Sequence, residues 1–374
     1  MAVLNEEQTM IRDGAKSWVQ DRSPVTAFRK LRDSGNADGF DRAAWKEMAE
    51  MGWSGILIPE EFGGTGLGYL TLGLVLEETG RTLTASPLIS TALVATTALL
   101  LGGSDAQKQK YLPQIAEGKL IATLAVDEGP HHHPEKTALA GAAAGGKVKL
   151  NGKKTWVLEG GAADLIIVAA RTGGKPGDKG GITLVLVDGK ASGLTRETLK
   201  TVDNRGYANL TFKDVEGEAL GSGEGYGVLE STLDRARAGL AAEMLGQAVQ
   251  SFDVTLEYLK TREQFGQKIG TFQALQHRAA KMFTDLELSR SCVEGALQAI
   301  DRDANDVAQL ASLAKAKMGD AVHLVSNEMV QMHGGIGMTD VHDAGLYLKR
   351  ARAQEATFGG SSYHRDRYAT LLGY

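Results

Sequence analysis

The stretch Leu233–Gln276, LDRARAGLAAEMLGQAVQSFDVTLEYLKTREQFGQKIGTFQALQ, decides how the chain is read. Apolar or small residues recur at three- and four-residue steps through Leu240, Met244, Ala248, Phe252, Leu256 and Leu259, the spacing of a long helix with a broad buried face. One carboxylate interrupts this run: Glu243, flanked by Ala241, Ala242, Met244 and Leu245. An ionised acid is costly to bury, so Glu243 either lies on an exposed flank or serves a site that uses it. The helix is expected to end near Arg262 and the chain to turn at Phe265-Gly266 and Ile269-Gly270. A second helix then opens with Thr271 as N-cap of FQALQHRAAKM.

Bulk properties agree with a soluble enzyme and say little beyond that. At 374 residues the chain exceeds what one hydrophobic core usually serves, so two or three domains are expected. A net charge of −5 gives no support for nucleic acid or an anionic membrane as partner. The single cysteine, Cys292, excludes an intrachain disulfide and a cysteine-rich metal site, and its apolar setting reads as a buried small hydrophobe. The N-terminus, MAVLNEEQTMIRDG, lacks the basic-then-apolar order of an export signal. No apolar run approaches membrane-spanning length, so the cytoplasm is the expected location.

Three regions follow from the patterning, with boundaries at 1–119, 120–224 and 225–374. The first reads as mostly helical, with helical spacing over Leu4–Val19, Ala43–Met51 (entered at Asp41 and stopped by Gly52), Leu70–Thr79 and Pro87–Leu101. Ile58–Gly66, IPEEFGGTG, is a loop. The second region consists of short apolar runs punctuated by glycine: IATLAVD, KVKLNG, LIIVAAR, ITLVLVD and ANLTFKDV. These read as strands of a small β-domain between helical ones, an α+β chain. Asn151-Gly152 reads as a turn, and Trp156 beyond it is either a core tryptophan or a ligand contact. The run His131-His132-His133 is expected to lie in a solvated loop, because consecutive residues point different ways and suit no metal. The third region is helical again.

Two motifs carry a family resemblance. REQFGQKIGTFQALQHRAAKM from Arg262, and QMHGGIGMT over Gln331–Thr339, are similar in kind and order to flavin-contacting segments of the acyl-CoA dehydrogenases. PEEFGG and DAQKQKYLPQIAEGK resemble the first domain of that family. The resemblance implies an N-terminal helical domain, a middle β-barrel or sandwich, and a C-terminal four-helix bundle that also forms the oligomer interface, in a homo- or heterotetramer. It implies FAD, held by Arg262, Phe265, Gln273, Gln331, Gly334, Gly335 and Trp156, with Ser361 at the flavin phosphate or ribityl chain. Arginine offers a planar fork to pyrophosphate, and glutamine satisfies donor and acceptor edges together. The implied reaction is α,β-dehydrogenation of an acyl-CoA thioester in fatty acid or steroid side-chain β-oxidation, with an electron-transfer flavoprotein as acceptor.

The departures from the family pattern bear on the chemistry. Where members carry a threonine-glutamate-proline run and a glycine-serine loop, this chain reads Val126-Asp-Glu-Gly-Pro-His-His-His133, with Asp127 and Glu128 near the usual threonine and glutamate. Leu158 stands where many members have a threonine that bonds flavin N5. The usual catalytic glutamate near the C-terminus is replaced: Thr357-Phe-Gly-Gly-Ser-Ser362 places Gly359 there. A second group of members carries the base just before an arginine matched here by Arg237, and that position is Ala236. Bacterial members acting on steroid side chains resemble this chain in lacking the C-terminal glutamate. Glu243 lies seven residues beyond Ala236, about 700° round the helix and about 10 Å along it, hence on the same face. It is the expected base, with Arg237 and Gly359 bordering the substrate. The alternatives are a silent or incomplete subunit of a heteromeric dehydrogenase, an oxidase or monooxygenase on the same fold, and a purely structural helical module.

Overall fold

The computed structural model describes residues 3–144, 146–222 and 225–374. Met1, where the first expected domain begins, and Glu224, where the second ends, lie outside the described residues. The first region is helical: α1 (Glu6–Arg22), α2 (Val25–Ser34), α3 (Arg42–Glu50), α4 (Gly68–Arg81), α5 (Thr96–Gly102) and α6 (Asp105–Ala116). Local chemistry sets several of the starts. The Asn5 side chain accepts the Gln8 N–H at 2.8 Å while Gln8 Oε1 accepts the Asn5 N–H, a reciprocal cap completed by Glu6 and Glu7 in the first turn. Ser104 and Gln107 cap α6 in the same manner. Asp41 caps α3 as expected, accepting the Ala43 N–H.

The stretch read as one helix from Pro87 to Leu101 instead begins as a π-helix over Leu88–Ala95 before continuing as α5. The wider turn sets Thr91 against the first strand, β1 (Ala122–Ala125), where its hydroxyl donates to the Ala122 carbonyl and accepts the Ala122 N–H.

The middle region is a β-barrel of β1, β2 (Ala140–Ala144), β3 (Lys147–Leu158), β4 (Leu165–Arg171), β5 (Ile182–Asp188), β6 (Leu194–Thr198) and β7 (Tyr207–Ala219). The ring closes because β4 pairs with β2 and β5, β5 with β7, β7 with β3, and β3 with β2. Leu150, Val157, Ile166, Val168, Val185, Leu210 and Phe212 fill its interior. Two of these strands escape sequence patterning: β2 is AGAAA, poor in strand formers, and β6 is LTRET, mostly solvated. Asn151-Gly152 is not a turn. It lies inside β3 at a register shift, where the Asn151 amide bonds the Asp214 carboxylate and backbone N–H across the strands.

The third region holds α7 (Gly225–Thr261), α8 (Gln273–Asp301), α9 (Val307–His333), α10 (Ala344–Ala356) and α11 (Ser361–Leu371), with a short hairpin of β8 (Glu263–Gln264) and β9 (Gln267–Lys268) between α7 and α8. Thr271 is not the cap of α8. Its hydroxyl donates to the Lys268 carbonyl at 2.6 Å, closing a 3-10 turn, and Phe272 occupies the N-cap position. Cys292 on α8 is half-buried rather than enclosed.

The chain resolves into two compact units. One comprises the chain up to Phe28, Gly73–Thr84 and everything from Arg237 onward; the other comprises Arg29–Leu72 and Ala85–Ala236. Within the first unit α4 crosses α7 with almost no gap. A Cβ added to Gly80 would lie 2.1 Å from the Glu243 carbonyl oxygen, and one added to Gly246 would lie 1.7 Å from that of Glu77. Only glycine at these crossing points lets the backbones meet. The residue carried to this crossing is Glu243.

Candidate active site

Glu243 is buried, with 4% of its surface exposed, so the exposed-flank reading of its position is excluded. The Gln354 Nε2 donates to its Oε1 at 2.9 Å, and Arg350 Nη1 stands 3.8 Å from the same oxygen. Both partners come from α10, one turn apart. Arg350 is itself buried and stacks its guanidinium over the Phe28 ring at 5.2 Å. Gln247, one turn beyond Glu243, donates to the Tyr347 carbonyl at 2.8 Å and ties α7 to α10 a second time.

The segment joining α10 to α11 carries Gly359. Its backbone is unusual: Phe358 has φ 57° and Gly359 φ 103°, both left-handed. Three buried side chains hold it. Arg237, fully buried, donates through Nε to the Phe358 carbonyl and through Nη2 to the Tyr363 hydroxyl, each at 3.3 Å. His364 Nε2 lies 3.0 Å from the same Phe358 carbonyl. Lys315 of α9 donates to the carbonyls of Gln354, Glu355 and Gly359 at 3.1, 3.1 and 3.0 Å. Burial pushes the Lys315 ammonium down to about 7, against the pull of the Glu355 carboxylate. A Cβ at Gly359 would lie 2.5 Å from the Tyr363 ring, so the space a side chain would enter is filled. The Gly359 N–H already bonds the Ala356 carbonyl at 3.2 Å. Ser361 turns inward, its hydroxyl donating to the Ala316 carbonyl at 3.3 Å, and Gly319 leaves room for it.

The two motif strips meet within the same unit. After α7 the chain turns through Phe265 and Gly266, both at positive φ, leaving the Arg262 side chain exposed and Phe265 89% exposed, edge-on to Phe272 at 6.1 Å. Gln273 opens α8 and is exposed. Gln331 lies on the exposed side of the last turn of α9, which Gly334 ends at φ 64° and Gly335 follows with open space round it. Tyr258, one turn before Arg262, stacks on His333 at 4.3 Å and donates to its carbonyl. Burial lowers the His333 pKa, so this ring favours its neutral form as a stacking partner.

In the β-barrel Trp156 is 54% exposed and is therefore not a core residue. It sits at φ 54° where the β3–β7 register shifts between Lys154 and Val157, a bulge that turns the indole out of the sheet. The Val126–His133 loop runs beside it, with the Thr155 N–H on the Asp127 carbonyl at 2.8 Å. This loop is not simply solvated. His132 is buried, its Nδ1 2.9 Å from Asp127 Oδ1, and only its neighbours His131 and His133 are exposed. Glu128 is a structural clasp: it accepts the N–H groups of Ala138 and Leu139 and the ammonium of fully buried Lys154 at 2.7 Å. Among the described residues no cluster of histidine, cysteine and carboxylate side chains has the arrangement of a metal site. Likewise no helix is long and apolar enough to cross a membrane.

Models of the N-terminal, middle and C-terminal domains of acyl-CoA dehydrogenase match residues 5–119, 131–215 and 223–372. The chain belongs to the acyl-CoA dehydrogenase family. It is 32% identical over 379 residues to the mitochondrial isovaleryl-CoA dehydrogenase of Arabidopsis thaliana, covering 97% of this chain and 90% of that protein. A solved structure of the Tcur3481–Tcur3483 steroid ACAD is 32% identical and superposes with a TM-score of 0.90, covering 98% of both chains. The ChsE4–ChsE5 complex from Mycobacterium tuberculosis is 25% identical with a TM-score of 0.89, covering 100% of this chain and 99% of that one.

Family enzymes generally bind FAD, and the residues present in this enzyme fit that group. The exposed Arg262, Gln273 and Gln331 offer a cation and two amides, and Gly334 and Gly335 leave open backbone in the same unit. Arg350, Gln354 and Lys315 escape sequence reasoning. They lie among Lys349, Arg352, Glu355 and Lys317, and nothing in such charged runs marks which member faces inward. The one available signal is the four-residue step from Arg350 to Gln354.

Proposed function

We propose that this enzyme converts an acyl-CoA thioester to a 2-enoyl-CoA, with Glu243 as the base, and hands the electrons to an electron-transfer flavoprotein. The observation that supports this most is the buried carboxylate of Glu243 in the wall of α7; by the resemblance read from the sequence, Gly359 and Ala236 stand at the two other positions where members carry a base. Dehydrogenation breaks two C–H bonds: the α-carbon gives up a proton and the β-carbon a hydride. When bound, FAD supplies the hydride acceptor. Glu243 receives the α-proton on its carboxylate, and filling of the pocket by an acyl chain excludes water from the transfer. Arg262, Phe265, Gln273, Gln331, Gly334, Gly335, Trp156 and Ser361 are assigned to the cofactor, and Arg237 and Gly359 to the border of the substrate. Domains divided at 119/120 and 224/225 and a cytoplasmic location complete the reading.

A second reading makes this chain the silent subunit of a heteromeric dehydrogenase. It draws on the charge that Arg350 sets near Glu243 and on similarity to a chain of the ChsE4–ChsE5 complex. Anaerobic mixing of the purified protein with a panel of straight, branched and steroid acyl-CoA thioesters, followed at the oxidised flavin band, separates the two. A yellow protein that bleaches, and a Glu243→Gln variant that keeps FAD and acyl-CoA binding but bleaches slower by about three orders of magnitude or more, are expected. Turnover of that variant near the wild-type rate places the base elsewhere. A colourless protein that needs a second chain supports the silent subunit.

A further inference from the structure

We infer that α10 is the positioning element of the base: Gln354 orients the Glu243 carboxylate, Arg350 sets a fixed positive charge beside it, and Lys315 locks the end of α10 that presents Gln354. The inference rests on Glu243 being the base. It adds residues that belong to none of the motifs carrying the family resemblance.

Four observations converge on it. Gln354 Nε2 and Arg350 Nη1 both address Glu243 Oε1, at 2.9 and 3.8 Å, so one oxygen is fixed in direction. The 3.8 Å separation exceeds a direct hydrogen bond, so this pair of atoms contributes field rather than a close N–H···O contact. Arg350 is fixed in turn by stacking over Phe28, and the Gln354 backbone by the Lys315 ammonium, which also grips Glu355 and Gly359. Finally, the setting is expensive. Buried ion pairs are often replaceable by apolar side chains without loss of stability, yet Glu243 and Arg350 are both enclosed, 4% and 1% exposed. A glutamate has three rotatable side-chain bonds. Holding it in one rotamer before substrate arrives removes an ordering cost from the proton-transfer step.

The test uses the flavin-loaded enzyme and the acyl-CoA thioester that bleaches it best. Arg350→Met, Arg350→Lys, Gln354→Met and Glu243→Gln are compared for the bleaching rate at saturation, the half-saturating acyl-CoA concentration, FAD content and thermal midpoint. The infrared carboxylate band of 13C-glutamate-labelled protein without substrate is recorded alongside, identified by its loss in Glu243→Gln. Arg350→Met is expected to slow saturated bleaching about 100-fold and Gln354→Met about 10-fold, with half-saturation and FAD content unchanged. Arg350→Lys should recover about 10-fold of the loss, and the Glu243 band should shift or broaden in both methionine variants. Bleaching within twofold of wild type and an unmoved band in both methionine variants, with Glu243→Gln inactive, overturns the positioning role and leaves the base in place. If the arginine variants fail to fold, a fully active Gln354→Met with an unmoved band overturns it equally. A fully active Glu243→Gln removes the base reading itself.

Discussion

Alanine at position 80 perturbs the helix crossing that carries Glu243 without touching a polar group. Its Cβ would stand 2.1 Å from the Glu243 carbonyl oxygen and 3.2 Å from the Glu243 Cα, both backbone atoms that cannot rotate aside. A carbon and an oxygen rest about 3.4 Å apart, so α4 and α7 must part by about 1 Å at this residue. Alanine gains about 1 kcal/mol of helix propensity over glycine, while forced separation of packed helices costs about 1–3 kcal/mol or more. A net change between about zero and a loss of about 2 kcal/mol follows, against a gain of about 1 kcal/mol where the added methyl meets nothing. With Glu243 as the proposed base the catalytic consequence is larger, because a base displaced by about 1 Å slows its reaction on the order of 100-fold. Gly14→Ala on α1 is the matched control: nothing lies within 4 Å of its Cβ, so it receives the propensity gain alone. Thermal midpoints and anaerobic flavin bleaching of both variants are the assay. Should Gly80→Ala match Gly14→Ala in stability and bleach within twofold of wild type, the close crossing does not set the position of Glu243.

Other perturbations address the proposed cofactor strips, the barrel clasp and the buried lysine. Arg262→Ala removes an exposed cation, so titration of the FAD-stripped protein should show at least about tenfold weaker FAD binding, with the stripped protein melting unchanged. Glu128→Gln leaves the fully buried Lys154 ammonium without its carboxylate, and a loss of about 3–5 kcal/mol should appear in thermal unfolding. Lys315 has a folded-state pKa of about 7 against an ordinary 10.5, so between these values the unfolded chain binds the extra proton and stability rises with pH. This contribution is complete above the unfolded value and is lost as pH falls through about 7. Denaturant midpoints from pH 6 to 10 should show a rise of up to about 1.4 kcal/mol per pH unit that Lys315→Met abolishes.

Periodicity and composition alone place most of the elements. The three- and four-residue steps of Leu240 to Leu259 are realised in α7, and the five apolar runs of the middle region are realised as strands, because each pattern reflects a face that must be buried. Motif order was enough to indicate the family, since a turn at Phe265-Gly266 and open glycines at Gly334-Gly335 are local backbone requirements that sequence records directly.

What sequence could not determine is where polar side chains end up once distant segments pack. Glu243 in an apolar run is compatible with an exposed flank or an enclosed site, and only the crossing of α4 and the approach of α10 enclose it. The same holds for Lys154, Lys315 and Arg350. Each sits in an ordinary charged stretch, yet each is buried because the tertiary fold brings a carboxylate, three carbonyls or a phenyl ring to its charged end. His132 is enclosed and its two neighbours are not, because Asp127 faces only one of the three. Burial of a charge depends on partners far away along the chain, and that pairing has no period for a local pattern to show.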